Sequence, residues 1–123
     1  MADGLSSAVA NAALGTITGT DANYIQLHTG APGSAGTSNV SSTTTREAVT
    51  WASASGGSIS ASDEPEWTSW AGTSPETETD ISFWSISSGG TFGLSMQLAS
   101  SVIMHTGDSL TLTTLTISLP TAS

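Results

Sequence analysis

Two histidines, His28 and His105, stand in a chain rich in serine and carrying ten acids, so a Ser-His-Asp relay is the first chemistry to consider. The nucleophile lacks its setting. No Gly-x-Ser-x-Gly elbow is present, and serine is so frequent that nearness to a histidine carries little information. His28 alternates with Tyr24 and Gln26 on what reads as the polar side of a strand, which makes it a surface or interface histidine rather than a base. A second chemistry would use the acids of the 63–80 segment: Asp63, Glu64, Glu66, Glu76, Glu78 and Asp80. Calcium takes several carboxylate and carbonyl oxygens, but no EF-hand or repeat-type spacing organises them, and a solvated acidic loop is the simpler reading. Glu64 with Glu66, or Glu76 with Glu78, could be imagined as a glycosidase pair, yet acids so close together in a Pro-bearing loop lack a cleft. The sequence therefore predicts no catalytic residue, metal ligand or cofactor, and a protein that is not an enzyme.

What remains is adhesion. Arg46 is the only basic side chain in a chain of net charge -9, so it must find a carboxylate or carbonyl, inside the chain or across a subunit boundary. Trp84 reads as core. Trp67 and Trp70 lie among acids in a loop and are candidate interface anchors, because Trp and Arg dominate binding hot spots. Leu5 and Val9, on the apolar stripe of a short helix, complete the candidate interface set.

The composition narrows the partners. One arginine and no lysine cannot displace the counterions of a phosphate backbone, which argues against nucleic acid and against an anionic membrane. In a container packed with nucleic acid such a chain belongs on the outside. With no cysteine there is no disulfide or thiolate site. No apolar run approaches the ~20 residues that span a bilayer, and no basic region precedes an apolar one at the start, which predicts a soluble, unexported chain. Charged residues make up only 9%, with Ser, Thr, Gly and Ala in their place. Four tryptophans and patterned strands argue against disorder, and a weakly polar surface suits contact with other subunits.

These residues must be held by short strands. A single domain over 1–123 is expected, with a helix at 3–14 capped by Asp3 and ended by Gly15, and β-strands across 24–119. The helix stripe of Leu5, Ala8, Val9, Ala12 and Ala13 is expected to dock on the domain's own sheet. Ile25 and Leu27 alternate with polar neighbours. The segment from Thr79 to Ser87 needs cover on both faces and reads as a central strand, followed by a Ser87-Ser88-Gly89-Gly90 turn and a return strand with Phe92, Leu94, Met96 and Leu98. Near the end, Leu110 and Leu112 sit at even positions but Leu115, Ile117 and Leu119 at odd ones. This parity flip predicts a bulge, a bend or a change of covering layer at Thr113-Thr114. The predicted fold is all-β, an antiparallel β-sandwich or jelly-roll-like domain with one short N-terminal α-helix.

A resemblance covers nearly the whole chain. It is carried by Tyr24-Ile25-Gln26-Leu27-His28-Thr29-Gly30-Ala31-Pro32-Gly33, Thr45-Arg46-Glu47-Ala48-Val49-Thr50-Trp51, Ser69-Trp70-Ala71-Gly72-Thr73, Ile81-Ser82-Phe83-Trp84-Ser85, and the closing Thr106-Gly107-Asp108 turn. In that order they resemble the small virion proteins of tailed bacteriophages described as tail-fibre-like, minor tail or head decoration proteins. The family carries LHTADPG where this chain has Leu27 to Gly33, so the acid of that pattern is absent here. The resemblance implies an all-β virion part. A small acidic domain without fibrous repeats suits a cap on the outer shell, so the first expectation is a head decoration protein bound to the major capsid protein or other virion proteins. It is expected on the particle exterior as a symmetric homo-oligomer, a trimer favoured. The alternatives are a tail component, and a glycan-binding module stacking sugars on Trp67 or Trp70.

Overall fold

A computed structural model describes residues 4–122. Helix α1 runs from Ser7 to Thr16 and is capped by Ser6, whose hydroxyl accepts from the Val9 N–H; Asp3, the cap expected from the sequence, lies outside the described residues. Gly15 does not end the helix. The chain continues into a wider π-type turn over Ile17–Asp21. The buried side of this element is Ala10, Leu14 and Thr18, spaced by four, rather than the predicted stripe of Leu5, Ala8, Val9, Ala12 and Ala13, of which only Ala13 is half-buried. Leu14 decides the orientation: it is the one large apolar side chain inside α1 that can reach the Ile59 and Ile117 pair, and burying it leaves Val9 outside.

The strands are β1 (Tyr24–His28), β2 (Glu47–Ala48), β3 (Ser58–Ser60), β4 (Glu66–Trp67), β5 (Glu76–Trp84), β6 (Phe92–Met104), β7 (Leu110–Thr111) and β8 (Thr116–Ser118). Four of them form one antiparallel sheet in the order β2-β1-β5-β6. The others form two ribbons, β3 with β8 and β4 with β7. The domain is all-β with one N-terminal helix, as the sequence predicts, and its second layer is built of these ribbons in place of one continuous sheet. Ile25, Leu27, Ile81 and Phe83 on the large sheet meet Trp67, Trp70, Leu110, Leu112 and Leu115 in the main core.

The parity flip is real. Leu110 pairs with Trp67 on one ribbon and Ile117 with Ile59 on the other, with the chain irregular between them, so the last segment changes partner while keeping Leu112 and Leu115 buried. Strand β5 is central, as predicted, and β6 is an edge. Two breaks interrupt their register, between Phe83 and Trp84 and between Glu78 and Asp80. At the first, Leu94 pairs with Phe83 but Phe92 with Trp84, so Gly93 is the extra residue and Phe92 moves to the opposite face of the sheet from Leu94.

That opposite face is not exposed. The sequence places Gln26 and His28 toward water, yet both are buried, with Ser82 and Trp84 beside them. The reason is the 29–46 segment, which folds back over the sheet: Thr29 and Ser41 N–H groups donate to Asn39 and Leu27 carbonyls, and Gly36, at φ 72°, lies so close to the Phe92 ring that no side chain fits there. The two ends of the described chain are clasped together. Leu5 pairs with Thr121 in a parallel bridge, with Leu5 N–H donating to the Pro120 carbonyl at 3.0 Å and Ala122 N–H to the Leu5 carbonyl at 2.7 Å.

Candidate functional site

Beneath the 29–46 segment runs a continuous polar seam. His28 on β1 places Nδ1 2.8 Å from the Ser38 carbonyl and Nε2 2.7 Å from Ser82 Oγ on β5. Trp84 Nε1–H donates to the same oxygen at 2.7 Å. One assignment satisfies every atom: Nδ1–H donates to Ser38, Ser82 O–H donates to Nε2, and the tryptophan donates to Ser82. It requires a neutral imidazole. Burial pushes the His28 pKa down, against the opposing pull of the Ser38 and Asn39 backbone and of Asp80, so charge and hydrogen bonding agree. A serine and a histidine are thus in contact, but both are 0% exposed and the serine oxygen already accepts from Trp84, so no substrate reaches the pair.

Arg46 closes the outer end of the seam. Its guanidinium carbon lies 4.1 Å from the centre of the Trp84 ring, and Nη1 donates to the Ile86 and Gly89 carbonyls at 2.9 and 2.8 Å. Phe92 flanks the same indole at 5.5 Å. The arginine finds carbonyls and a π face within its own chain, and no carboxylate pairs with it among the described residues.

A second cluster pins the same segment lower on β5. Ser41 Oγ donates to Glu76 Oε1 at 2.5 Å and lies 3.3 Å from Glu78 Oε1, while Ser42 N–H donates to the Glu76 carboxylate. Glu78 is wholly buried and its Oε2 meets no donor. Burial, with Glu76 adding to it, pushes the Glu78 carboxyl up to about 8. Burial opposes ionisation of Glu76 too, but hydrogen bonds from Glu78, Ser41 and Ser42 together hold it below its ordinary value. At neutral pH Glu78 keeps its proton and shares it with the ionised Glu76 as a hydrogen bond. Neither acid is part of a cleft, and among the described residues no three His, Asp or Glu side chains gather as metal ligands would.

The tryptophans are placed differently from expectation. Trp67 and Trp70 are each 3% exposed, their indole N–H groups donating to the Thr45 and Thr73 carbonyls. They are core, and cannot anchor a partner or stack a sugar. The 63–80 stretch that reads as a loop holds β4 and the start of β5; pairing with β7 turns Trp67 inward, and Trp70 is held by its N–H donating to the Asp108 carbonyl and its carbonyl accepting from the Gly107 N–H. Leu5 and Val9 are exposed, at 40% and 54%. Ile86 and Ile103, which sequence reasoning did not single out as interface candidates, are also exposed, at 51% and 57%. Trp51, half-buried, lines an open groove of about 640 Å³ together with Asn11, Thr18, Asn23 and Thr50, and no charged side chain borders it.

The His28–Ser82 pair and Glu78 are therefore sealed inside, while Asp63, Glu64, Glu66, His105 and Asp108 meet water alongside the apolar Leu5, Val9, Ile86 and Ile103. Residues 1–120 match the family described as Podophage GP4 fiber I protein gp80.

The chain belongs to that family.

No curated protein matches it. As a member of a podophage fibre family it is a phage virion protein of fibre or tail type. The shell cap expected first fits this family less well than the tail alternative. Small size, acidity and lack of repeats, the features that suggested a cap, suit a fibre-associated subunit equally.

Proposed function

We propose that this chain is a structural subunit of the phage tail fibre apparatus, working on the particle exterior through protein–protein contact and without turnover. The family match over residues 1–120 carries the reading. The distribution of chemistry supports it: His28, Ser82 and Glu78 are locked away, Arg46 is engaged internally, and Leu5, Val9, Ile86 and Ile103 meet water. A net charge of -9 with its single cation so occupied leaves nothing to hold phosphates, so the partners are other tail proteins and copies of itself. Labelling the subunit on intact virions and imaging them tests this. A signal at the tail with a low copy number is the expected result, and an even distribution over the head shell returns the cap reading.

The groove beside Trp51 favours a second, subsidiary reading as a site for a neutral host glycan. An indole with uncharged amides and hydroxyls is the lining that sugars require, and it replaces the platform once assigned to Trp67 and Trp70. Glycan-array binding abolished by Trp51→Ala would support it, and an array without signal would remove it.

A further inference from the structure

Strand β6 is the longest in the fold and lies at the edge of the large sheet, paired only with β5. Among the described residues no backbone group of the domain bonds to its outer row. Exposed edges are ordinarily guarded by lysine, proline or inward-pointing charge. From Phe92 to Met104 there is none of these, and no Asp, Glu, Lys or Arg occurs between Asp80 and Asp108. The opposite edge is built otherwise: β2 has only two residues, one of them Glu47, and Arg46 precedes it.

We propose that residues 94–98 of β6 pair with the same segment of a second copy of this chain, antiparallel about a two-fold axis that passes beside Met96. Three observations select that occupant. The edges are unequal, so a β6-to-β2 contact that could propagate has only a short, charged partner strand, whereas β6 matches itself. A copy with the same net charge of -9 can approach only where acid is absent. Asp21 lies against Gly93, outside the paired stretch, and Asp80 lies one strand inward opposite Gln97; in the pair the two Asp80 residues would stand about 14 Å apart by strand spacing, beyond the ~8 Å screening length of physiological salt. Last, Leu94, Met96 and Leu98 face the core yet remain half-buried because no strand lies beyond them, while Ser95 and Gln97 face water. A partner strand whose residues keep the same faces brings its own Leu94, Met96 and Leu98 alongside and completes that cover.

This rests on the reading of the chain as an assembling virion subunit, and it is tested separately from it. Sedimentation of the full chain over a range of concentrations should show a dimer. Replacing both Ser95→Glu and Gln97→Glu sets like charges across the ladder and should weaken the dimer at least tenfold, while Val9→Glu on the helix leaves it unchanged. Both β6 positions are exposed, so circular dichroism should report an intact fold. Because the chain has no cysteine, a Ser95→Cys, Gln97→Cys double variant should also give a disulfide-linked dimer on oxidation. A wild-type chain that stays monomeric, or a dimer indifferent to the β6 acids and disrupted by Val9→Glu, overturns the pairing. The fibre reading falls only if the subunit is missing from the tail.

Discussion

His28 Nε2 and Ser82 Oγ lie 2.7 Å apart on neighbouring strands, with neither side chain reaching solvent. The contact has the composition of a catalytic pair and the surroundings of a structural bolt. Ser82→Ala would leave the Trp84 N–H and the histidine nitrogen buried without partners. A loss on the order of 2 kcal/mol in urea unfolding is expected, with a changed near-ultraviolet signal from Trp84.

Glu78 sets an unusual dependence on pH. Its folded pKa of about 8 lies above the ordinary 4.5, so the folded state holds a proton that the unfolded chain releases. Its contribution is fully present below pH 4.5 and is lost as pH rises through about 8. His28 acts in the opposite sense: its lowered pKa gives stability that is present above 6.5 and lost as pH falls. The window from 6.5 to 8 therefore isolates the glutamate. Stability should fall there by about 2 kcal/mol in the native chain, and Glu78→Gln, which imitates the protonated acid, should flatten the curve and be the more stable protein at the alkaline end.

Arg46→Lys keeps the charge but loses the fork that reaches two carbonyls while lying over an indole. A destabilisation of about 1–2 kcal/mol is expected, read as a lower thermal midpoint together with altered Trp84 fluorescence. An unchanged midpoint would show the arginine to be a bystander.

Trp70→Ala should behave as a core deletion, costing about 3–5 kcal/mol, and incorporation into particles should fail only as far as folding fails. A well-folded variant that no longer assembles would restore the anchor role that burial denies it.

The strand periodicity was readable where one face was apolar and the other polar: Ile25 with Leu27, the Phe92 to Leu98 alternation, and the parity change that moves the chain from one ribbon to the other. The covering of the second sheet face was not readable. Nothing local to Gln26 or His28 signals that residues 29–46 will fold over them, because the hydrogen bonds that hold that segment run to partners such as Glu76, far along the chain. The helix orientation was missed for a related reason. Counting small apolar residues favoured the Leu5–Val9 stripe, whereas the position of one leucine relative to Ile59 and Ile117 settled the matter. Trp67 and Trp70 were misread because neighbouring acids suggested a loop, while a two-residue pairing turns Trp67 inward and backbone bonds to Gly107 and Asp108 hold Trp70.

The clasp between Leu5 and Thr121 has a mechanical meaning. Parallel bonds loaded along their strands must shear together, so tension entering through the flanking chain would cross from one end to the other at this point without pulling on the sheet. Pulling the two ends of the described chain apart would therefore load these two bonds before it reached the strands of the core.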